Sequence, residues 1–220
     1  PMNYYNPYDE YDIQEKRLTE LFRDAVAEAY AMDQINFSTY DLVVVFHAGI
    51  GQDFSLPFLD PTPEDIPSTY IDQAMIQDHF GVSSLPFDGS EIEHGILLPE
   101  SQNHLLFDIA ESMFSGASEP CEYQYGLTGT FALMIGFSVG LPPLWNIETG
   151  ESGIGVFGLM DQGSNNGRGI VPAPPSPWTR MYAGWESSTN ADFGTSIRLA
   201  SRNENQLIHI SINESEYFLI

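Results

Sequence analysis

Apolar residues near the start of the chain recur at helical spacing. Between residues 14 and 32 they lie three or four positions apart with charged residues between them, and this period predicts an amphipathic helix. One face of this helix is therefore expected to pack against a core. The apolar positions are Leu18, Leu21, Phe22, Ala25, Val26 and Ala29.

Two short apolar runs further along predict β-strands that are buried on both faces. Residues 42–46 are rich in β-branched side chains, and residues 95–100 form the second run. Helices are expected over residues 69–80 and 102–114, whereas the prolines of residues 57–67 indicate a surface loop. Helices that alternate with buried strands indicate an α/β fold with a mixed sheet.

The segment from residue 129 to residue 141 is apolar all round except for Thr130 and Ser138. A helix without a polar face is expected to be buried on all sides, which would place this segment at the centre of the core. Gly140 and the two prolines after Leu141 form a strong helix stop.

The last third of the chain predicts turns followed by strands. Gly, Ser, Asn and Pro dominate residues 150–178, which is typical of a turn-rich surface. We expect one domain over residues 1–190 and the start of a β-rich region over residues 191–220. The strands of that β-rich tail are predicted at Ser196 to Leu199, Leu207 to Ile212 and Tyr217 to Ile220.

The charge of the chain restricts the classes of partner that it can bind. Asp and Glu number 31 against 7 Lys and Arg, so the net charge is −24, and Lys16 is the one lysine. A field of this sign repels phosphate backbones and anionic headgroups, so we expect no nucleic-acid partner. No apolar run is long enough for membrane insertion. The single cysteine, Cys121, excludes an intramolecular disulfide and a multi-cysteine metal site.

Several separated motifs, from about residue 35 onward, resemble the immune inhibitor A family of secreted bacterial zinc metallopeptidases. Because the motifs follow one another in the order of that family, they are more specific together than any of them alone. The motifs are VVVFHAG (43–49), ILLPE (96–100), GFSVGLPPLWN (136–146), GIGVFGLMDQGSNNG (153–167), PSPWTRMYAGW (175–185) and YFLI (217–220).

The resemblance implies a zincin-like fold whose former active-site helix has lost its metal ligands. In the family this helix carries two histidines one turn apart and a glutamate that activates the zinc-bound water. When Gly140 and Pro142 are placed on the family's glycine-leucine-proline turn, Leu133 and Phe137 occupy the two histidine positions. Met134 then occupies the glutamate position, and Pro143 replaces an aspartate.

The same resemblance implies a structural role for Met160. The run Gly-Leu-Met-Asp at residues 158–161 is similar to the family's methionine turn, which there underlies the metal. Met160 is therefore expected to pack beneath Leu133 and Phe137. Leu and Phe offer no lone pair and a thioether is a weak ligand for zinc, so the family mechanism is expected to be lost.

These features predict a catalytically inactive metallopeptidase-like domain that acts as a binding or structural module. The family is secreted, so the protein is expected to be extracellular or at the cell surface, with a protein partner or with itself as partner. Zinc is expected to be lost. In the family a YFLI segment is followed by further β domains, so the chain is expected to be part of a longer protein.

Three alternatives remain open from the sequence. An active zinc peptidase would draw its ligands from elsewhere, with His94, Glu100 and His104 as candidates. A subunit of an extracellular polymer or surface layer would use the edges of an incomplete sheet. Calcium is a possible cofactor. Its candidate ligands are Asp161, Asn165 and Asn166, or Asp60, Glu64 and Asp65.

Overall fold

The protein has a mixed α/β fold with small sheets, which confirms the α/β class and the mixed sheet expected from the sequence. The computed structural model describes residues 2–5, 11–53, 65–87, 89–103, 124–192, 194–198 and 207–220. The helices are α1 (Met2–Tyr5), α2 (Tyr11–Asp33), α3 (Gln73–Phe80), α4 (Thr128–Ser138) and α5 (Pro177–Tyr182). The strands are β1 (Val43–Ile50), β2 (Thr69–Ile71), β3 (Leu85–Phe87), β4 (Ser90–Ile92), β5 (Gly95–Asn103), β6 (Gln124–Tyr125), β7 (Ser188–Asn190), β8 (Leu207–Ser211) and β9 (Tyr217–Leu219).

Strand β5 is the centre of the largest sheet. It pairs in parallel with β1 and antiparallel with β2, and its end pairs with β6. Ile96, Leu97 and Leu98 are fully buried, so the prediction of a strand buried on both faces is confirmed for β5. The same prediction is wrong for β1, where Phe46 is 58% exposed. Among the described residues β1 pairs only with β5, and apolar content alone does not reveal that a strand lies at an edge.

Side chains of β5 alternate between two helical layers. Leu97 belongs to a core cluster with Phe22 of α2 and Ile76 of α3. Ile96 and Leu98 point to the other face and pack with Met134 of α4. The period of two along a strand thus gives the sheet a helical layer on each side. It also places α4 directly against the centre of the sheet.

Helix α2 confirms the amphipathic helix predicted at residues 14–32, but the helix predicted at residues 69–80 begins later than expected. Thr69 to Ile71 form β2 because these β-branched and aromatic residues pair with β5. Asp72 then caps α3, and its carboxylate accepts a hydrogen bond of 2.8 Å from the amide of Met75. Gly81 ends the helix at a φ of 72°.

The prediction of a helix at residues 102–114 is wrong for its first two residues. Gln102 and Asn103 are the last residues of β5, paired with Tyr125 and Gln124 of β6. Residues 104–114 lie outside the described residues, as do residues 57–64 of the proline-rich loop.

Helix α4 forms where the sequence predicts a helix, but it is not buried on all sides. Phe131 is 36% exposed and Val139 at its end is 56% exposed. The sheet covers one side of α4, and the cluster of Leu141, Leu159 and Met160 covers a second side. The third side faces outward, so an apolar surface predicted to lie in the core is accessible instead.

A separate small sheet forms near the C-terminus. Strand β8 pairs in parallel with β7 and antiparallel with β9, so strands appear where residues 207–212 and 217–220 predict them. The strand predicted at Ser196 to Leu199 is wrong over residues 196–198, which have no regular structure, and Leu199 lies outside the described residues. Within the described ranges, no helix is both long and apolar enough to cross a membrane.

Candidate functional site

The start of α4 is held by the backbone of a distant loop. Leu127 at the N-cap provides no side-chain hydrogen bond to the helix. The amide of Gly129 instead donates to the carbonyl of Gly169 at 2.8 Å, and the amide of Gly126 donates to the carbonyl of Arg168 at 2.7 Å. The carbonyls of residues 168 and 169 therefore provide partners for amides at the start of the helix.

Three positions that the resemblance assigns to zinc chemistry lie on two sides of α4. Leu133 and Phe137 are one turn apart and pack with the buried cluster that contains Met160. Met134 is 8% exposed and packs instead against Ile96 and the rest of the sheet-facing cluster. The ring of Phe137 also lies 5.9 Å from that of Trp145. All of these contacts are apolar.

Met160 fills the space beside a glycine of α4. It is fully buried, and a Cβ atom added to Gly136 would lie 2.5 Å from the Met160 sulfur. Gly140 has a φ of 83° and follows the helix in a Schellman motif, in which Leu141 donates to the carbonyl of Gly136 at 2.9 Å. The half-buried Pro142 and Pro143 follow, so the helix stop lies where the sequence predicts it.

Asp161, a candidate calcium ligand, anchors the loop that precedes it. Its Oδ2 accepts hydrogen bonds of 2.7–2.9 Å from the amides of residues 153–155 and from the hydroxyl of Ser152, and its Oδ1 accepts one from the amide of Gln162. Burial alone would raise the pKa of Asp161, but these hydrogen bonds outweigh it and hold the pKa below its ordinary value. With five donors on its two oxygens, Asp161 has little capacity left for a cation.

The structure describes only some of the other calcium candidates. The side-chain amide of Asn166 donates to the carbonyl of Val156 at 2.9 Å, and Asn165 lines a small cavity. Asp65 is half-buried just before β2, whereas Asp60 and Glu64 lie outside the described residues.

An apolar groove runs along the outward side of α4, and we call it the α4 groove. Its volume is about 640 Å³. The T-shaped contact between Phe46 of β1 and Phe131 of α4, with centroids 6.2 Å apart, forms one wall. The groove is lined by Phe46, Leu127, Thr128, Phe131, Ala132, Ile135, Gly136, Val139, Leu141, Leu159, Pro175 and Trp185. A groove of this size and composition suits an apolar ligand or side chain.

A smaller cavity lies on another side of α4, beside Leu133. Its volume is about 330 Å³, and Trp145, Asp53 and Asp161 contribute to its walls. One of the positions that the resemblance assigns to a zinc ligand thus borders open space, whereas Met134 is packed against the sheet.

A polar network close to this cavity is absent from the sequence-based predictions. Asp53 accepts hydrogen bonds from Ser68 and from Gln102, and Gln102 in turn accepts one from the hydroxyl of Thr130 at 3.1 Å. The signal in the sequence is Thr130 itself, since a hydroxyl in a largely apolar helix needs a hydrogen-bond partner if the helix is buried. That partner cannot be identified from spacing, because Gln102 and Asp53 are distant in the chain.

The alternative zinc ligands are far apart. His94 precedes β5, with its ring 5.9 Å from that of Tyr70, whereas Glu100 is exposed near the other end of the strand. Six residues of extended chain span about 20 Å, so His94 and Glu100 cannot bind the same metal ion. His104 lies outside the described residues. In the part of the chain that is described, no three His, Cys, Asp or Glu side chains are grouped to hold a metal.

No protein-family model, no curated protein and no solved structure matches this chain. The mixed α/β fold is seen in the structure, whereas the similarity to the immune inhibitor A family is a resemblance of sequence motifs alone.

Proposed function

We propose that this protein is a non-catalytic, metallopeptidase-like module that binds an apolar segment of a partner protein in the α4 groove. The observation that carries the proposal is the chemistry of α4. This helix presents only apolar side chains at the positions that the resemblance assigns to metal and water activation, and it opens an apolar groove on its outward side.

The packing of α4 supports the loss of zinc chemistry. Leu133 and Phe137 contact the Met160 cluster and Met134 contacts the sheet, so these three side chains contribute to the apolar core. Two imidazoles and a carboxylate buried here without a metal would be costly. Apolar side chains at these positions avoid that cost when no ion is bound.

The accessibility of α4 supports a binding role. Phe46 is 58% exposed and Trp185 is 54% exposed, and both line the groove. Aromatic side chains that remain accessible beside a concave apolar surface are typical of sites for protein partners. The groove side chains carry no charge, so the binding energy would come from apolar burial rather than from ion pairs.

Zinc content and peptidase activity test the first half of the proposal. We expect purified protein, never exposed to chelators, to contain far less than one equivalent of zinc by elemental analysis and to leave casein intact. The triple variant Leu133→His/Met134→Glu/Phe137→His has the family's ligand pattern. Zinc binding by this variant but not by the unaltered protein would support the alignment of α4 with the family's zinc-binding helix. Stoichiometric zinc together with casein cleavage in the unaltered protein would refute the proposal.

A neutral apolar probe tests the groove. N-phenyl-1-naphthylamine is suitable because the net charge of −24 would repel an anionic dye. We expect saturable binding that Phe131→Ser weakens about tenfold, since it removes a groove wall. Phe157→Ser is the matched control, because Phe157 is 83% exposed and does not line the groove. Equal binding by both variants would show that the probe does not occupy the groove.

Self-association is a second candidate, favoured by strand β9. Among the described residues this strand pairs only with β8, and Phe218 is 59% exposed. A free apolar edge can pair with another chain. Sedimentation at rising protein concentration in about 0.5 M salt, which screens the acidic charge, would detect oligomers. Phe218→Lys should abolish them, whereas the same substitution at the exposed Thr189 of β7 should not. A monomer at all concentrations would refute this candidate.

We propose an extracellular or cell-surface location on the basis of the same resemblance. Surface biotinylation of the source cells, followed by detection of the biotinylated protein, would test the location. Recovery only from the lysed fraction would contradict it.

A further inference from the structure

Asn166 and Gly167 form the one Asn-Gly pair in the sequence. Asparagine followed by glycine is the pair in which the backbone nitrogen attacks the side-chain amide most readily, because glycine has no side chain that hinders the approach. Gly167 is exposed and has a φ of 57°. Among the hydrogen bonds of the described residues, none is donated by the amide of Gly167. This nitrogen is therefore accessible to a reaction with the side chain of Asn166.

Asn166 joins two loops. Its side-chain amide donates a hydrogen bond of 2.9 Å to the carbonyl of Val156. Its backbone carbonyl accepts hydrogen bonds from the amides of Gly169 at 3.1 Å and Val171 at 3.3 Å. Asn166 thus connects the segment around Val156 to the turn at residues 167–171, which we call the 167–171 turn.

The 167–171 turn and the residues just before it contact α4 backbone to backbone. The carbonyl of Gly169 accepts the hydrogen bond of 2.8 Å from the first-turn amide of Gly129. A Cβ atom added to Gly169 would lie 2.3 Å from the carbonyl oxygen of Gly126, and one added to Gly129 would lie 1.7 Å from that of Ser164. Because the backbones touch at these glycines, side chains cannot rearrange to absorb a change in the length or position of the turn.

The folded conformation of Asn166 opposes a reaction with Gly167. An imide ring closes only when the ψ angle of Asn166 brings the nitrogen of Gly167 beside the side-chain carbon Cγ, and the extended ψ of 142° does not do so. The hydrogen bonds to Val156, Gly169 and Val171 hold this conformation in place. Ring closure therefore requires a local opening in which these hydrogen bonds break.

We propose that Asn166 is a deamidation site whose reaction is limited by opening of the 167–171 turn, and whose product loosens the start of α4. In the open state the amide nitrogen of Gly167 loses its proton to water and attacks Cγ of Asn166. The new C–N bond closes an imide ring, and the side-chain amide nitrogen takes up a proton and leaves as ammonia. Water then opens the ring at either carbonyl, which gives aspartate or isoaspartate. The reaction consumes one water molecule, releases one ammonia molecule and needs no oxidant or reductant.

Both products oppose the contacts that Asn166 makes. A carboxylate at position 166 has no hydrogen to donate, so it would place a negative charge against the carbonyl of Val156. Isoaspartate also lengthens the backbone by one carbon between residues 166 and 167, close to the carbonyl that accepts the hydrogen bond from Gly129. The hydrogen bond at the start of α4 should therefore weaken in either product.

Peptide mapping by mass spectrometry tests the site and its limitation by opening. The whole chain is aged at mildly alkaline pH, once folded and once in guanidinium chloride. In the denaturant we expect Asn166 to deamidate faster than Asn146 and Asn213, which precede larger residues and serve as internal controls. In the folded protein the rate at Asn166 should be about tenfold lower yet still measurable, because the turn must open before the ring can close. An equal rate in both states, or a rate in denaturant no higher than that of the controls, would overturn the proposal.

Amide hydrogen exchange tests the effect on α4. Asn166→Asp carries the charge of the product, and the protection of the Gly129 amide should fall about tenfold, which corresponds to the net contribution of one hydrogen bond. Asn146→Asp is the matched control, because the exposed Asn146 accepts hydrogen bonds from the amides of Glu148 and Thr149 and an aspartate can accept the same two. If Asn166→Asp fails to fold, the deamidated fraction of the aged protein, separated by its extra charge on an ion exchanger, should show the same loss. Unchanged protection of Gly129 in that fraction would overturn the proposal.

Discussion

Replacement of Asp161 by asparagine perturbs the most heavily hydrogen-bonded side chain of the site. Four donors converge on one carboxylate oxygen and a fifth donates to the other. Asparagine keeps one acceptor oxygen but removes the charge, and its NH₂ group must face the remaining donor. Hydrogen bonds to a charged acceptor contribute about 1 kcal/mol more than those to a neutral acceptor, so four of them lose about 4 kcal/mol.

A part of that loss is offset, because the amide has no charge to bury. Asp161 is only 4% exposed, and release from this desolvation returns about 1–2 kcal/mol. Repulsion between the new NH₂ group and the facing amide of Gln162 partly cancels the gain. We therefore expect Asp161→Asn to lower the free energy of unfolding by about 3 kcal/mol at pH 7.

The destabilisation by Asp161→Asn should depend on pH. The folded pKa of Asp161 is lowered, so its carboxylate stabilises the fold fully above the unfolded pKa of about 3.9. This contribution is lost as the pH falls through the folded pKa. The difference between Asp161→Asn and the unaltered protein should therefore be largest at neutral pH and shrink below about pH 4.

Urea denaturation at several pH values between 2.5 and 7 would measure the difference directly. Glu148→Gln is the matched control, since Glu148 is an exposed carboxylate near the same loop and should leave the stability nearly unchanged. A loss below about 0.5 kcal/mol at pH 7 would refute the reasoning, because surface substitutions alone produce changes of that size. A loss of equal size at pH 7 and pH 3 would also refute it.

Four further substitutions can be followed by the same denaturation midpoint. Gly129→Ala should destabilise the fold by about 3 kcal/mol or more, because its Cβ would lie 1.7 Å from a backbone carbonyl oxygen, and this outweighs the better helix propensity of alanine. Gly136→Ala should destabilise the fold less, because its Cβ would lie 2.5 Å from the sulfur of a methionine side chain, which is flexible. Equal losses would contradict this order. Leu98→Ala should destabilise by about 3 kcal/mol, because the side chain is fully buried, and a loss under about 1 kcal/mol would argue against the packing described. Arg180→Lys should destabilise the fold by about 1 kcal/mol, because lysine cannot keep both the ion pair with Glu186 and the hydrogen bond of 2.7 Å to a loop carbonyl. Unchanged stability would show that the fold does not need a guanidinium group that bonds to both acceptors at once.

Local sequence patterns predicted the elements that are specified by neighbouring residues. The amphipathic period predicted α2, and Gly140 followed by two prolines predicted the end of α4. Both signals depend on residues that are only a few positions apart. The β3–β4 hairpin, between Leu85 and Ile92, was missed. Its strands have three residues each, which is too short for a period to appear.

Long-range geometry accounts for what the sequence could not predict. The apolar character of α4 was clear, but the exposure of Phe131 depends on which elements cover the helix, and no pattern within the helix contains that information. Asp161 is a candidate calcium ligand in the sequence because a carboxylate near two asparagines suits calcium. The amides that surround it come from a loop whose conformation is set by backbone dihedral angles. The Asp53 network joins residues that are distant in sequence, so spacing could not reveal it.

The start of α4 constrains the order in which the protein can assemble. Its first-turn amide at Gly129 is satisfied by the carbonyl of Gly169, and the glycine itself fits against the carbonyl of Ser164. During synthesis, α4 leaves the ribosome before these carbonyls exist, so the amides of its first turn can bond only to water for several seconds at ordinary elongation rates. An apolar helix that is still exposed is prone to aggregation. The hydrogen bond that completes the start of α4 can therefore form only after residues 161–169 have been synthesised.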